Sequence, residues 1–141
     1  KAQQLVSRTY EFGEYLVKVL GVTEVGSSFA GQVTYHPSCH LLREVGASGE
    51  SEGLVREACG DQYSPLPQAE TCCGFGGAFS VKLPHISESM LDDKVAHIVS
   101  TRAERVVSCD MGCLMHIGGA LSRRGGNIRP MHLAQLLDRE G

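Results

Sequence analysis

The sequence lacks the features of three common classes of protein. It has no excess of basic residues, with 13 lysines and arginines against 16 aspartates and glutamates. Because bound phosphate usually requires a basic surface, this balance argues against a dedicated nucleic-acid binder. The apolar runs are shorter than the roughly 20 residues that a membrane span needs, and neither end resembles a secretory signal. We therefore expect a cytoplasmic protein with no transmembrane segment and no nucleic-acid partner.

Motifs of common enzymes are also missing. The glycine-rich run at residues 74–79 lacks the third glycine of the dinucleotide-binding fingerprint, so NAD binding is not expected. No Ser-His-Asp arrangement and no glycosidase-like carboxylate pair can be assigned. A cysteine nucleophile served by His36 or His40 is an alternative, but it leaves the other cysteines unexplained. We assign no catalytic residue, and we expect one domain over residues 1–141, large enough to bury a core without disulfides.

The six cysteines are too few for a disulfide scaffold in a chain of this length. Clustered cysteines in the reducing cytosol more often bind metal or carry out redox chemistry. Cys72 and Cys73 run directly into three glycines within four residues. A disulfide between adjacent cysteines is strained, whereas a sharp glycine turn lets both side chains reach one inorganic centre. This segment predicts a metal–thiolate site.

The hydrophobic pattern alternates between strands and helices. Ser38 is placed to cap a helix that begins near His40, and a first amphipathic helix would place Leu5, Tyr10 or Phe12, Leu16 and Leu20 on one face. The strands are expected at 31–35, 62–67 (the weakest), 105–108 and 127–129; the helices at 2–20, 41–45, 50–58, about 15 residues after Pro84, 114–123 and 131–138. This order predicts an α/β fold with an open, mainly parallel sheet of about four strands and helices on both faces.

The cysteines occupy a common position in this pattern, because five of them follow predicted strands. These are Cys39, Cys72, Cys73, Cys109 and Cys113. The carboxyl ends of parallel strands share one edge of the sheet, where ligands bind in open α/β folds. The sequence therefore predicts a single site at that edge. Cys59 lies at the end of a helix, away from every strand end, and we expect an ordinary core or surface thiol there.

Four or five converging thiolates fit an iron–sulfur cluster or structural zinc. The Cys-Cys and Cys-x-x-x-Cys spacings differ from the two-residue spacing of zinc ribbons, and the glycine-rich, apolar setting favours a cluster. Cys109, one position beyond its strand, is either a fifth ligand or a core residue. His36, His40 and His116 are ligands, hydrogen-bond donors, proton carriers or locally bonded residues. The other histidines lie away from the predicted site: His85, His97 and His132.

Three motifs, at residues 36–44, 72–80 and 110–119, resemble the cysteine-rich CCG domain. They are most similar to its lactate-utilisation protein A and glycolate-oxidase iron–sulfur subunit branch. The wider family includes the heterodisulfide reductase B subunit and the anaerobic glycerol-3-phosphate dehydrogenase C subunit. The resemblance covers about residues 31–139. Members of the family normally carry two such repeats, so the resemblance implies that this chain is the C-terminal half of a longer subunit.

The resemblance also implies a function and a ligand set. It implies a [4Fe-4S]-type cluster held by Cys39, Cys72, Cys73 and Cys113, in a subunit that passes electrons from oxidation of a 2-hydroxy acid such as L-lactate. Cys109 departs from the lactate and glycolate branch and is found in heterodisulfide-reductase-like members, so cubane and noncubane clusters are both open. The implied partners are the N-terminal repeat and other subunits of the oxidising complex. A zinc-binding structural or assembly domain and a heterodisulfide-reductase-like thiol redox module are the alternatives.

Overall fold

The computed structural model describes residues 1–138 and has an α/β fold. Its sheet has three parallel strands in the order β1-β2-β3. The strands are β1 (Val33–Tyr35), β2 (Arg105–Ser108) and β3 (Arg129–His132). The predicted open parallel α/β architecture is therefore confirmed, with one strand fewer than expected. Residues 139–141, the last three of the predicted domain, lie outside the described residues.

The described part of the chain contains short and long helices around this sheet. The α-helices are α1 (Ala2–Val6), α2 (Phe12–Glu14), α3 (Ser48–Cys59), α4 (Ala78–Lys82), α5 (Pro84–Ser100), α6 (Met111–Arg123) and α7 (Leu133–Leu137). Wider π-helical turns occur at Tyr15–Val19 and Leu41–Val45, and a 3-10 turn at Gly60–Gln62. None of the helices within residues 1–138 combines the length and the apolarity that crossing a membrane requires.

The weak fourth strand predicted at 62–67 is wrong. Only Tyr63 pairs with the sheet, through an isolated parallel bridge to Val33, supported by a hydrogen bond from the Ser64 N–H to the Val33 carbonyl. The chain cannot continue the ladder because Pro65 and Pro67 have no N–H to donate.

The continuous helix predicted at 2–20 is also wrong. The Thr9 hydroxyl donates to the Leu5 carbonyl at 2.8 Å, and the chain then starts a new helix. Glu11 caps this second helix, since its carboxylate accepts from the Glu14 N–H while the Glu14 carboxylate accepts from the Glu11 N–H. The predicted apolar face is largely exposed, at Leu5, Tyr10, Phe12 and Leu20.

The last strand and helix are shifted from their predicted positions at 127–129 and 131–138. The structure has a strand to His132 and a helix from Leu133 because His132 acts as the N-cap. Its side chain accepts from the Ala134 N–H, and the Gln135 side chain accepts from the His132 N–H. Pro130 is tolerated within β3 because this strand lies at the edge of the sheet.

Two hydrophobic clusters cover the two faces of the sheet, which confirms the prediction of helices on both sides. Successive side chains of a strand point to opposite faces. Accordingly, Val107 belongs to the first cluster, with α3 and α7, while Val106 belongs to the second, with α5 and α6. Tyr35 also faces the first cluster. This alternation decides which residues at the strand ends meet.

Candidate metal centre

The structure brings four of the predicted cysteines together at the carboxyl edge of the sheet. The sulfurs of Cys39 and Cys72 lie 3.9 Å apart, and those of Cys73 and Cys113 lie 3.2 Å apart. The two pairs are linked because Cys72 and Cys73 are adjacent in the chain, and each pair contains one of them. Three separated stretches of the chain therefore bring their thiols to the same edge of the sheet.

His36 joins this group from the end of β1. The backbone N–H of His36 donates to the Val107 carbonyl at 2.8 Å, which extends the pairing of the strands by one residue. Since Tyr35 faces the first cluster, His36 faces the opposite side, where its ring nitrogen and the sulfurs of Cys73 and Cys113 all lie within 4.8 Å of one another. The imidazole is completely buried, and neither ring nitrogen has a hydrogen-bond partner among the described residues.

Unpaired buried polar atoms are rare and usually indicate a ligand, water or ion. The two His36 nitrogens therefore fit a metal ligand or a hydrogen-bond donor to a bound centre. The sequence left both roles open, and the structure identifies His36 as the histidine that belongs to the site.

The electrostatics of the Cys73–Cys113 pair favour one thiolate and one thiol. The hydrogen bond between Cys73 and Cys113 lowers the pKa of Cys73, against burial, and His36 lowers it further. The bond to Cys73 and burial raise the pKa of Cys113. A metal centre requires both sulfurs as thiolates, so its binding would displace the proton that the pair shares.

The turn after the adjacent cysteines depends on Gly74. Its φ of +85° is a conformation that residues with a Cβ rarely adopt. The Gly74 N–H donates to the Cys72 sulfur at 3.3 Å, and its carbonyl accepts from the buried Ser87 hydroxyl at 2.7 Å. Gly74 thereby links the loop that carries Cys72 and Cys73, here called the cysteine loop, to α5.

Helix α6 positions the remaining cysteine. Asp110 is its N-cap, and the carboxylate accepts from the Cys113 N–H at 3.0 Å. Gly112 allows the close approach of α6 to the cysteine loop, because a Cβ at this position would lie 2.9 Å from the Phe75 ring. Cys113 thus lies in the first turn of α6, next to the Asp110 carboxylate, whose charge helps to raise the pKa of its thiol.

We expect Asp110→Ala to lower the free energy of unfolding of the metal-free protein by about 1 kcal/mol, because the cap of α6 is lost. Asp110→Asn should lose less, since its side-chain carbonyl still accepts from the Cys113 N–H. Urea denaturation followed by circular dichroism measures both values. Equal losses in the two variants would contradict the capping role.

Cys109 is not brought to this group. Its side chain packs against the first cluster, where the Tyr35 hydroxyl lies 3.9 Å from the sulfur. Burial raises the pKa of Cys109 to about 11, which keeps the thiol protonated near neutral pH. The alternation along β2 explains the placement, since Val107 and Cys109 share one face of the chain while the buried Ser108 points to the other.

The other predicted positions are spread over the fold. Cys59 is buried in the first cluster, and burial raises its pKa to about 11. His40 pairs with Glu44 at 2.9 Å on the surface, and the His116 ring packs on Phe75 with 5.6 Å between the centroids. Of the three histidines expected away from the site, His85 is exposed and His132 caps α7. The third, His97, lines a small cavity together with Cys72.

Sequence reasoning missed Lys94, which is completely buried on α5. Its ammonium donates to the carbonyls of Gln68 and Ala69, at 2.9 and 3.1 Å. Lysine in a helix is normally expected at the surface. The available signal was its spacing, because Lys94 lies three residues after Leu91 and four before Ile98, in line with the buried face of α5.

Comparison with known proteins identifies a domain that spans these residues. The cysteine-rich CCG domain matches residues 33–118, a span that contains His36 and all four clustered cysteines. The chain belongs to the cysteine-rich CCG domain family. This family assignment confirms the resemblance seen in the sequence motifs.

Several curated proteins are similar to this CCG-domain chain over nearly all of its length. Lactate utilization protein A of Halalkalibacterium halodurans is 48% identical, with 99% of this chain and 57% of that protein aligned. The protein of the same name from Oceanobacillus iheyensis is 46% identical over 99% and 58%, and that from Bacillus subtilis is 44% identical over 98% and 58%. The chain therefore spans less than two thirds of the length of these relatives.

Proposed function

We propose that this chain is an electron-transfer part of a lactate-oxidising complex and binds a [4Fe-4S]-type cluster through Cys39, Cys72, Cys73 and Cys113. The observation that carries the proposal is the pairing of their sulfurs at one sheet edge, at 3.9 and 3.2 Å. The relatives named lactate utilization protein A support lactate as the acid that is oxidised. Glycolate is the related alternative.

The residues present fit such a group. Iron–sulfur clusters are ordinarily held by four cysteine thiolates, and glycine-loop N–H groups such as that of Gly74 donate to their sulfurs. When bound, the cluster would accept and release one electron at a time. Cys73 and Cys113 are buried and would exclude water on one side, whereas Cys39 and Cys72 are half-buried. We infer that electrons enter and leave on the half-buried side.

The relatives are longer than this chain, which covers 57–58% of those compared. Their additional length leaves room for a second domain of similar kind. We therefore include in the proposal a two-repeat subunit, of which residues 1–141 form one CCG domain, and further subunits that oxidise a 2-hydroxy acid. A cytoplasmic location is part of the same proposal.

Zinc binding is the second candidate, and one observation favours it. A histidine nitrogen and two cysteine sulfurs, from His36, Cys73 and Cys113, lie within 4.8 Å of one another. Mixed histidine and cysteine ligands are typical of structural zinc, which needs four ligands in total. Cys39 or Cys72 would supply the fourth. In that case the centre would stabilise the fold and carry no electrons.

Metal analysis of protein purified without oxygen distinguishes these candidates. The proposal predicts a brown preparation with about four irons and about four labile sulfides per chain, as one [4Fe-4S] cluster requires. Its visible absorption should bleach on reduction with dithionite. A colourless preparation with one zinc per chain would support the second candidate, and a preparation without metal would contradict both.

The placement of Cys109 gives a further prediction. The Cys109 sulfur lies with Tyr35 in the first hydrophobic cluster. We therefore expect Cys109→Ser to retain the iron and sulfide content of the unmodified protein. Cys113→Ser is the matched variant, and it should lose the cluster. Iron analysis after anaerobic purification compares the two. Loss of iron in both variants would indicate that Cys109 is a fifth ligand and would favour a noncubane cluster.

A further inference from the structure

Lys94 is the one fully buried lysine, arginine, aspartate or glutamate within residues 1–138. Taking an ammonium group out of water costs several kcal/mol unless it is compensated. No carboxylate lies within ion-pair distance of Lys94 in this part of the chain; its ammonium contacts the carbonyls of Gln68 and Ala69 instead. These two carbonyls are the hydrogen-bond acceptors that compensate the burial of the ammonium.

The carbonyls that Lys94 holds belong to the segment leading into Cys72. Gln68 has a φ of +49°, which is unusual for a residue other than glycine and requires support from its surroundings. The Thr71 N–H and hydroxyl both donate to the same Gln68 carbonyl that accepts from Lys94. The ammonium thus ties the turn at 68–71 to α5, just before the adjacent cysteines.

The thiolate site borders the same part of α5, because Leu91 and Val95, on either side of Lys94, pack in the second hydrophobic cluster with Cys73 and Cys113. Burial lowers the pKa of Lys94 to about 8, and the negative charges of Cys73, Cys72 and Cys113 oppose that shift. These are three of the four sulfurs in the proposed ligand set. The hydrogen bonds of the Lys94 ammonium go to the loop that leads into Cys72 and Cys73.

We propose that Lys94 is a positioning residue that fixes the 68–74 loop and holds a buried positive charge beside the thiolate site. The inference rests on the proposed function, because a centre ligated by thiolates gains a further negative charge on reduction. A nearby cation stabilises that reduced form and raises the reduction potential of the centre. Lys94 therefore supports both the geometry of the ligands and the ease with which the site accepts an electron.

The first test uses the metal-free protein and does not depend on the identity of the centre. We expect Lys94→Met to speed amide hydrogen exchange in residues 71–74 by about tenfold or more, because a charged hydrogen bond contributes at least that factor to local stability. Lys82→Met removes an exposed lysine from the neighbouring helix and should leave exchange unchanged. Equal exchange in Lys94→Met and the unmodified protein would overturn the proposal.

The second test measures the midpoint potential of the loaded protein by spectroscopic redox titration. We expect Lys94→Met to lower the potential, while Lys82→Met leaves it unchanged. Lys94→Gln is the second variant; it keeps a donor for one carbonyl but no charge, so it should lower the potential with less effect on exchange. An unchanged potential in both Lys94 variants would overturn the charge role.

A failure of the proposed function gives a different result from a failure of this inference. If the unmodified protein assembles no iron, the cluster proposal is contradicted, and the hydrogen-exchange comparison alone decides whether Lys94 positions the loop. If iron is bound but exchange and potential are the same in all variants, the cluster proposal stands and the role of Lys94 is contradicted.

Discussion

Cys73→Ser should abolish cluster binding. Cys73 is 2% exposed and its sulfur lies 3.2 Å from that of Cys113, at the most buried part of the proposed centre. A serine hydroxyl is a poor substitute for a thiolate ligand, because iron–sulfur clusters are held by cysteine sulfur. We expect the iron and labile sulfide of the anaerobically purified variant to fall to the background of the metal-free protein.

Cys59→Ser is the matched control for this experiment. Cys59 is 5% exposed, so both substitutions place a hydroxyl in a buried position and should lower the free energy of unfolding by about 1–3 kcal/mol. Cys59 packs in the other hydrophobic cluster, and its variant should keep a full complement of iron. Equal iron loss in both variants would mean that general destabilisation, and not ligand loss, explains the effect.

Gly74→Ala should be the most damaging substitution in the glycine-rich loop. An added Cβ would lie 2.5 Å from the Ser87 carbonyl oxygen and 3.1 Å from the Met90 Cβ, at a φ of +85°. The left-handed backbone and the overpacking together predict a loss of about 2–5 kcal/mol in the free energy of unfolding. We also expect reduced iron content, because any shift of this turn moves Cys72 and Cys73.

Gly46→Ala separates the two contributions. Gly46 also has a positive φ, +72°, but apart from its own chain neighbours no atom of residues 1–138 lies within 4 Å of an added Cβ. Its variant should lose about 1–2 kcal/mol from the backbone conformation alone and should bind iron normally. Denaturant unfolding of the metal-free proteins measures the difference. A loss at Gly74 no larger than that at Gly46 would contradict the close packing of the cysteine loop on α5.

The sequence was sufficient to predict that distant cysteines share one edge of the sheet. Strands ending just before Cys39 and Cys109 are marked by short β-prone runs, and parallel topology then brings their ends together. The adjacent cysteines were not placed by a strand, since the predicted strand at 62–67 is reduced to one bridge at Tyr63. They reach the site through the turn at Gly74 and its bond to Ser87.

Other features depended on contacts that a sequence pattern does not contain. The placement of Cys109 follows from the alternation of β2, which separates it from Cys113. Which histidine belongs to the site depended on the close approach of the His36 ring nitrogen to the sulfurs of Cys73 and Cys113. The helical spacing of Lys94 indicates that it is buried, but its link to the cysteine loop is recognisable only once its carbonyl acceptors are known. In each case tertiary packing, and not local propensity, decides the role of the residue.

The most direct measurement of the central claim is the position of iron in crystals grown without oxygen. Anomalous diffraction at the iron edge should show one compact iron peak per chain, bordered by the sulfurs of Cys39, Cys72, Cys73 and Cys113, with His36 beside it. If the iron peak lay elsewhere, or bordered only one of the two sulfur pairs, four thiolates would not hold a single centre and the account would be contradicted.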